Sequence, residues 1–419
     1  MTTQTSSEAA GGSWTERGIG PAEGRGRARK VLSALGLHET LTETRAGTPL
    51  SVWRCQLRDE ADQPVPYGRG LGKGSREEAE TGALFEALEH YLTGPDTFDA
   101  QQVQWCSGAE LLAGPLGDDV CAPLLRAADR VACQPYLPVD GGAAPPLALP
   151  VIMSTSWYYD TEDLRQATGD ATDYRQLARY GSNSGSAIGS TLTDALLHAL
   201  NECIERDALS LLLARAWPGA GAYRPRLVDV TTLPPTLAAG HRQAETLRGA
   251  PVHLVDVSTD LGVPSYVACT SGPGSFELRF GAGTSLSPHY AAWRALGELV
   301  QSSVTPSQPS AIPLDGLAPY PALRACATFD LAPHLDHADL TVWTNREPPH
   351  VCPGEQLTQL TARLAARGHR AYYRVTATAP EGITAAHVFV PGLERFMTVT
   401  SSVVTIPGIR ARTQITAGT

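Results

Sequence analysis

Two pairs of glutamates are spaced so that each pair shares one face of a helix. Glu86 and Glu89 are three residues apart, and so are Glu202 and Glu205. Side chains at this spacing are neighbours on a helix surface, and both pairs lie among apolar residues, within ALFEALEHY and ALLHALNECIER. A carboxylate that faces a core is costly unless a cation pairs with it. Because carboxylate oxygens are natural ligands of Mg²⁺, we predict that these glutamates hold magnesium.

A third predicted helix adds one more carboxylate and one more cation. Its residues Arg294, Glu298 and Gln301 are spaced i, i+4 and i+7, which puts them on one face. Arg206 adjoins the second glutamate pair. For any single pair, a competing interpretation is a solvent-exposed face on which glutamates pair with nearby arginines. Two pairs in apolar surroundings, joined by a third charged helix, favour a functional site.

Carboxylates, arginines and Gly/Ser-rich segments at helix starts together suit a nucleoside triphosphate with magnesium. Helix N-termini attract phosphate oxygens, metal ions bridge those oxygens, and arginines neutralise their charge. The segment GRGLGKGS at 68–75 lacks the spacing of a Walker A motif, so we predict no P-loop. A di-iron bundle would require Glu-x-x-His pairs, and a glycosidase would leave the arginines and the other glutamates unexplained.

The elements that position these residues follow from caps and periodicity. Ser75 and Glu78 predict a capping box at the start of a helix that runs to about residue 92. Gly/Ser-rich loops are predicted to precede the second and third charged helices. The remaining predictions are helices at 28–37, 192–215, 288–302 and 355–368, and strands at 49–57, 252–257, 263–270 and 388–390. This pattern predicts an α/β fold of the mixed α+β kind.

We predict a disordered tail at residues 1–27, followed by one domain at 28–419 with a loop-rich insertion at about 95–180. The net charge of −10 argues against a nucleic-acid partner. No run of about 18 apolar residues exists, so we expect no membrane span. None of the eight cysteines forms a C-x-x-C pair, and we predict reduced thiols and a cytoplasmic location.

Five segments resemble, in order, the motifs of the YcaO family. They are GKGSREEAETGALFEALEHY, SNSGSAIGSTLTDALLHALNECIERDA, VHLVDVSTDLGVPSYVA, FGAGTSLSPHYAAWRALGELVQS and VFVPGLERF. The core motifs fall within residues 68–92, 181–215, 251–302 and 388–396. Each motif alone is weakly specific, but the five together are highly specific.

The resemblance implies a YcaO-type fold with its own ATP site and implies a role for each matching residue. Magnesium ligands would be Glu86, Glu89, Glu202, Glu205 and Glu298. Nucleotide-binding residues would be Gly82, His90, Asn183, Ser184, Arg206 and Arg294, and the catalytic group would be Arg294, Glu298 and Gln301. Gly82 and His90 are departures, because the family motif has Ser and Arg at these two positions.

The resemblance further implies an enzyme that uses ATP and Mg²⁺ to activate backbone amides in a ribosomally made precursor peptide. Expected products are a thiazoline or oxazoline, or a macrocyclic amidine, and the alternative is a thioamide formed with external sulfide. The residues also allow a non-catalytic YcaO-like protein that binds a peptide or partner, and an unrelated Mg²⁺-dependent ligase or phosphotransferase. We expect no fused leader-binding domain, and we consider both a discrete leader-binding partner and a homodimer.

Overall fold

The computed structural model describes residues 15–45, 49–218, 223–271, 280–303, 314–344 and 347–417. In these ranges the strands β1 to β14 are His38–Arg45, Ser51–Arg58, Pro64–Gly74, Gln104–Cys106, Val131–Pro138, Leu147–Pro150, Ser186–Gly189, Arg226–Val228, Val252–Asp256, Ser265–Thr270, Phe280–Thr284, Asp339–Thr341, Tyr372–Thr378 and Thr384–Phe389. The helices α1 to α13 are Pro21–Ala34, Arg76–Leu92, Gly108–Leu112, Ala122–Leu125, Val151–Ser154, Glu162–Thr168, Leu192–Ala216, Pro235–Arg248, Pro288–Ser302, Pro321–Thr328, Ala332–Leu335, Pro353–Ala365 and Ile409–Ala417.

Three sheets organise the described strands. The first has the order β1-β2-β3, and the second has the order β11-β10-β9-β8-β12 with β12 parallel to β8. The third has the order β4-β5-β13-β14-β7, with β6 paired to β5. Helices pack on all three sheets, which agrees with the predicted mixed α/β class.

The glycines at 68–75 belong to strand β3, which packs closely under helix α2. A Cβ atom on Gly72 would lie 1.7 Å from the carbonyl oxygen of Ala79, and one on Gly70 would lie 2.3 Å from that of Ala83. Alternate residues of a strand face the same side, so these glycines let the helix backbone approach the strand. The glycine-rich segment before α2 is therefore a strand rather than a loop.

Strand β11 and helix α9 repeat this arrangement. A Cβ atom on Gly283 would lie 2.1 Å from the carbonyl oxygen of Ala291, and one on Gly281 would lie 2.3 Å from the amide nitrogen of Leu299. The predicted loop before this helix was wrong for the same reason, since residues 280–284 form a buried strand. Residues 186–189 of the other predicted loop form strand β7.

Helix α7 runs through the middle of the molecule and is buried along most of its length. Thr191 caps its first turn by accepting a hydrogen bond from the amide of Asp194 at 3.1 Å. Its apolar residues contribute to two hydrophobic clusters, one against β14 and α12 and the other against β10 and β11. The helix passes through both clusters, and its charged residues 205–207 lie between the two parts.

The N-terminal prediction needs correction. Helix α1 begins at Pro21 rather than at residue 28, and residues 15–20 are ordered against the rest of the chain. Proline suits the first turn of a helix, and Gly24 lies close enough to α2 that an added Cβ atom would be 3.5 Å from the Phe85 ring. Residues 1–14 of the predicted disordered tail lie outside the described residues.

The predicted loop-rich insertion at 95–180 has a hydrophobic core of its own. Strands β4, β5 and β6 run through it, and Tyr136, Tyr158 and Tyr174 are buried in its centre. Short strands and helices of three to eight residues explain why the sequence periodicity was weak here.

Several local predictions are confirmed. Ser75 and Glu78 form the capping box of α2, and β9 pairs antiparallel with β10 as the predicted hairpin. Helices α7, α9 and α12 and strand β2 occur near the predicted bounds, whereas β14 begins at Thr384 and shares only residues 388 and 389 with the strand predicted at 388–390. Among the described residues, no helix is both long enough and apolar enough to cross a bilayer.

Candidate active site

Helices α2, α7 and α9 and strand β3 enclose a cavity of about 790 Å³. We call it the acidic cavity, because five predicted glutamate ligands line it. All but one of the predicted site residues lie on its wall: Gly82, Glu86, Glu89, His90, Asn183, Glu202, Glu205, Arg206, Arg294, Glu298 and Gln301. The three predicted helices therefore converge, although their residues are separated by more than two hundred positions.

Ser184 lies in an adjoining cavity of about 440 Å³. The two cavities share Asn183, Arg206, Glu298 and Gln301 on their walls. A molecule in the second cavity would therefore also reach Arg206 and Glu298.

The α7 glutamates share one arginine. Arg206 Nη2 lies 3.0 Å from Glu202 Oε1, and Arg206 Nη1 lies 3.5 Å from Glu205 Oε1. The backbone amide of Gly185 donates to Glu202 Oε2 at 3.3 Å. Glu205 Oε2 is buried and has no hydrogen-bond partner, so one carboxylate oxygen is left for a ligand.

Glu298 of α9 pairs with a lysine that was not among the predicted site residues. Lys73 Nζ lies 3.0 Å from Glu298 Oε2. Burial alone would raise the pKa of Glu298, but the charges of Lys73 and Arg206 hold that pKa below its usual value. Lys73 alternates with Gly72 and Gly74 along β3, so its side chain leaves the strand on the face opposite those glycines.

Three other carboxylates of the cavity resist ionisation. Burial raises the pKa of Glu89 to about 8, with further contributions from Glu202 and Glu86. Burial also raises the pKa values of Glu86 and Glu205, and Glu298 adds to both shifts. The cations of the protein do not fully offset this negative charge. A divalent cation would do so, which is the physical argument for a metal here.

Arg294 faces the cavity from α9. Its Nη1 donates to His198 Nδ1 at 3.0 Å, while its Nε is buried without a partner. No carboxylate among the described residues forms an ion pair with Arg294 within 4.0 Å, although the charges of Glu205 and Glu16 raise its pKa. The guanidinium is thus held in the site with donors left for an anion.

Residues 15–20 form part of the cavity wall, which the predicted disordered tail did not anticipate. Glu16 is buried and accepts hydrogen bonds from Ser285 Oγ at 2.5 Å and from Asn201 Nδ2 at 3.1 Å. Next to it, Arg17 lines the cavity and donates to the carbonyl oxygen of Ile188 at 3.2 Å. No local pattern marks this segment, since these contacts are all distant in sequence.

His90 and Gly82, the two departures from the family motif, both line the cavity. His90 Nδ1 donates to the carbonyl oxygen of Arg69 at 2.7 Å, which leaves Nε2 of the ring as its second hydrogen-bonding atom. Gln301 Nε2 donates to the carbonyl oxygen of Leu71 at 3.3 Å. The positions of these residues fit a ligand-binding role, and their individual roles stay predictions.

The donor set fits magnesium that is shared with a phosphate ligand. Within the described residues, no group of three or more His, Cys, Asp or Glu side chains is arranged to hold a metal ion by itself. Mg²⁺ usually takes one or two carboxylates together with water and substrate phosphates rather than an all-protein cage. The unpartnered oxygen of Glu205 and the raised pKa values of Glu205 and Glu86 agree with such a site.

Residues 71–394 match the family model described as "YcaO cyclodehydratase", ATP- and Mg²⁺-binding. The match covers more than half of the chain, and the chain belongs to the YcaO family of ATP-dependent enzymes. This confirms the predicted family and, at the level of the family, the predicted cofactors ATP and Mg²⁺.

Two curated relatives are similar over part of their length. An uncharacterized protein of Methanothermobacter thermautotrophicus is 34% identical over 127 residues, which cover 30% of this chain and 32% of the relative. An uncharacterized protein in the tfuA 3′ region of Rhizobium leguminosarum bv. trifolii is 27% identical over 234 residues, 51% of this chain and 52% of the relative. The matches thus span about half of these relatives or less.

Solved structures confirm the fold. YcaO from Methanopyrus kandleri, bound with AMPPCP and Mg²⁺, superposes with a TM-score of 0.62 at 19% identity, over 93% of this chain and 96% of the other. A heterocyclase in complex with substrate and cofactor gives a TM-score of 0.60 at 17% identity, over 91% of this chain and 54% of the other. At these identities the likeness concerns the fold alone.

Proposed function

We propose that this chain uses ATP and Mg²⁺ to activate backbone amides of a ribosomally made precursor peptide, with cyclodehydration to an azoline or a macrocyclic amidine as the main outcome. The observation that supports it is the convergence of five glutamates with Lys73, Arg206 and Arg294 around one cavity. Membership of a family of ATP- and Mg²⁺-binding cyclodehydratases supports the same reaction class.

The proposed reaction proceeds in three steps. A side chain or the amine of the peptide adds to an amide carbon, and the oxyanion so formed attacks the γ-phosphorus of ATP, releasing ADP. The nitrogen lone pair then expels phosphate, which carries away the former amide oxygen, and a proton is lost to give the C=N bond. ATP thus converts a very poor leaving group into a good one, and the protein mainly positions the reactants and stabilises charge.

The side chains divide into two proposed tasks. Glu202 and Glu205, with Glu298, would hold Mg²⁺, which supplies positive charge next to the phosphates when bound. Arg206 and Arg294 would neutralise the remaining phosphate charge. Most of the surface of these glutamates and of Arg206 is withdrawn from solvent, which strengthens the charge interactions between them.

The two adjoining cavities support a reaction between two bound molecules. The nucleotide would occupy the acidic cavity, and the peptide amide would approach from the second cavity, where hydroxyl-bearing residues such as Ser182, Ser184, Thr398 and Thr400 form the wall. Glu298 and Gln301 lie on both walls, which suits residues that act where the phosphoryl group is transferred.

Thioamide formation with external sulfide is a second candidate. The Rhizobium relative is named for its position in the tfuA 3′ region, and that neighbourhood favours thioamide formation. The acidic cavity would act identically in both cases, since sulfide would replace the internal nucleophile. A discrete leader-binding partner and a homodimer stay predictions.

Mass spectrometry of a peptide substrate separates these products. Short peptides encoded beside the gene would be incubated with the protein, ATP and Mg²⁺, with and without sulfide. Loss of one water would support cyclodehydration, and exchange of oxygen for sulfur would support thioamide formation. A gain of phosphate would favour a simple phosphotransferase. A peptide left unchanged while ATP binds normally would favour a non-catalytic, peptide- or partner-binding protein.

A further inference from the structure

The second cavity contains an arginine that neither the sequence motifs nor the proposed reaction uses. Arg179 lies on its wall, in the short helical turn Leu177–Tyr180 that precedes the loop of Asn183 and Ser184. Its Nη1 donates to the backbone carbonyl oxygen of Val404 at 3.3 Å. A guanidinium has five N–H donors, so this hydrogen bond leaves most of them for another acceptor.

The turn that carries Arg179 is anchored to the body of the protein. Its residues Leu177 and Tyr180 are buried. The Tyr180 hydroxyl accepts a hydrogen bond from the backbone amide of Ile406 at 3.1 Å, in the same segment that supplies the Val404 carbonyl. Arg179 itself is partly buried. The guanidinium is therefore held at the cavity wall before any ligand arrives, which lowers the entropic cost of binding.

The charges on the wall of the second cavity are not balanced. They belong to Arg179, Arg206 and Glu298. Arg206 pairs with the two α7 glutamates, and Glu298 pairs with Lys73. Within the part of the chain that the structure describes, no carboxylate forms an ion pair with Arg179. In a chain of net charge −10, an unpaired cation on the wall next to the acidic cavity indicates an anionic ligand.

The rest of this wall suits a peptide better than a second phosphate. It combines apolar side chains, such as Phe280 and Met397, with hydroxyl groups, such as those of Ser182 and Thr400. Mixed walls of this kind, with one charged group that fixes orientation, are typical of pockets for organic ligands. A carboxylate matches the planar guanidinium with two parallel hydrogen bonds. The anion that fits best is therefore a carboxylate of the bound peptide.

We propose that Arg179 is a specificity-determining residue that binds a carboxylate of the peptide substrate near the amide that reacts. The proposal rests on the proposed function, in which the peptide occupies the second cavity, and it names the substrate class. These substrates are peptides with an acidic side chain, or their own C-terminal carboxylate, within a few residues of the modified amide. The ion pair fixes the register of the peptide, so that one amide rather than its neighbours meets the nucleotide.

Ligand-observed NMR titration in the presence of AMPPCP and Mg²⁺ tests the proposal. The probes are glycine-rich, acetylated hexapeptide amides with one glutamate at each position in turn, their glutamine counterparts, and a hexapeptide with a free C-terminal carboxylate. We expect the wild type to bind the best carboxylate-bearing probe at least about tenfold more tightly than its neutral counterpart, and that probe shows whether the side chain or the C-terminus supplies the carboxylate. Arg179→Gln should abolish the preference. Arg179→Lys should keep part of it, because lysine retains the charge but not the planar fork, and Arg179→Glu should prefer peptides that carry lysine instead.

Arg175→Gln is the matched control. Arg175 precedes Arg179 in the same segment, pairs with Asp173 on the surface and lines neither cavity, so we expect its preference for the carboxylate to stay within about twofold of the wild type. Equal binding of charged and neutral peptides to the wild type, no binding of either, or a preference that survives in Arg179→Gln would overturn the proposal. Weaker AMPPCP binding to an Arg179→Gln protein with the circular dichroism of the wild type would also overturn it, because Arg179 would then serve the nucleotide. Absence of AMPPCP binding to the wild type would instead contradict the proposed function.

Discussion

Helix α7 contributes neighbouring residues to two groups of largely buried charges. The two groups differ in how completely their carboxylates are paired with cations. The first is the acidic cavity, to which α7 contributes Glu202 and Glu205. The second, which we call the C-terminal ion cluster, consists of two ion pairs, Asp119 with Arg395 and Asp207 with Arg410. Glu205 and Asp207 are only two positions apart on the helix.

Every carboxylate oxygen of Asp207 and Asp119 in the C-terminal ion cluster has a partner. Arg410 donates to both oxygens of Asp207 at 3.0 Å, and the amide of Glu394 donates to one of them at 2.9 Å. Asp119 accepts from Arg395 and from the amide of Gly392. Burial alone would raise the pKa of Asp119, but Arg395 and the hydrogen bonds hold it below its usual value.

The acidic cavity lacks this balance. Burial raises the pKa values of Glu86, Glu89 and Glu205, and one oxygen of Glu205 has no partner. Burial of a carboxylate therefore does not by itself indicate function. A buried carboxylate whose oxygens are all paired ties distant segments together, whereas a group with excess negative charge indicates a missing cation.

The largest expected effect is on stability, from breaking the balanced cluster. Asp207→Asn removes the buried one of the two carboxylates that pair with Arg410 and leaves only the more exposed Asp260, among the described carboxylates, as its partner, so we expect the free energy of unfolding to fall by about 2–3 kcal/mol. Urea unfolding measures it. The control is Asp173→Asn, which removes an exposed pair with Arg175 and should leave the unfolding midpoint unchanged. Equal effects of both substitutions would contradict the assignment of the cluster as structural.

Removal of a charge from the acidic cavity should instead raise the free energy of unfolding. Glu205→Gln replaces a carboxylate whose burial disfavours ionisation, so we expect the ligand-free protein to gain about 1 kcal/mol at pH 8. At pH 5, where the carboxyl of the folded protein is already more protonated, the gain should shrink. Urea unfolding at both pH values provides the measurement. A loss as large as that in Asp207→Asn would mean that Glu205 is a structural residue.

The smallest expected effect is a change in how steeply the free energy of unfolding depends on pH. The pKa of Glu89 is raised to about 8 in the folded protein, so its protonated form is favoured there. The stability it contributes is present in full below the unfolded pKa of about 4.3 and is lost as pH rises through about 8. We expect Glu89→Gln to make the fall in unfolding free energy between pH 5 and 8.5 shallower. Unchanged slopes in urea unfolding would contradict the raised pKa.

The charged helices were predictable because their signals are local. Glutamates three residues apart, capping residues and apolar periodicity together indicated α2, α7 and α9 before any contact was known. The strands before α2 and α9 were not predictable in this way. Their glycines are poor strand formers, and the reason for them is the close approach of a helix, as at Gly72 and Gly283.

The site residues that were not predicted also differ in whether a local sequence signal marks them. His198 had a usable signal, since it lies four residues before Glu202 on the same helix face. Lys73 had a weaker one, the alternation of a strand in which glycines occupy the other face. Glu16 and Arg17 had none, because their partners Ser285, Asn201 and Ile188 are more than 150 residues away along the chain.

Calorimetric titration of the wild type and of a Glu202→Gln/Glu205→Gln variant with AMPPCP, with and without Mg²⁺, shows whether the acidic cavity binds ATP through these glutamates. Asp173→Asn, remote from the cavity, serves as the control. We expect magnesium-dependent binding to the wild type and to the control, and none to the double variant in its folded state. Binding to the double variant with wild-type affinity, or no binding to the wild type, would contradict the assignment of the acidic cavity as the ATP site.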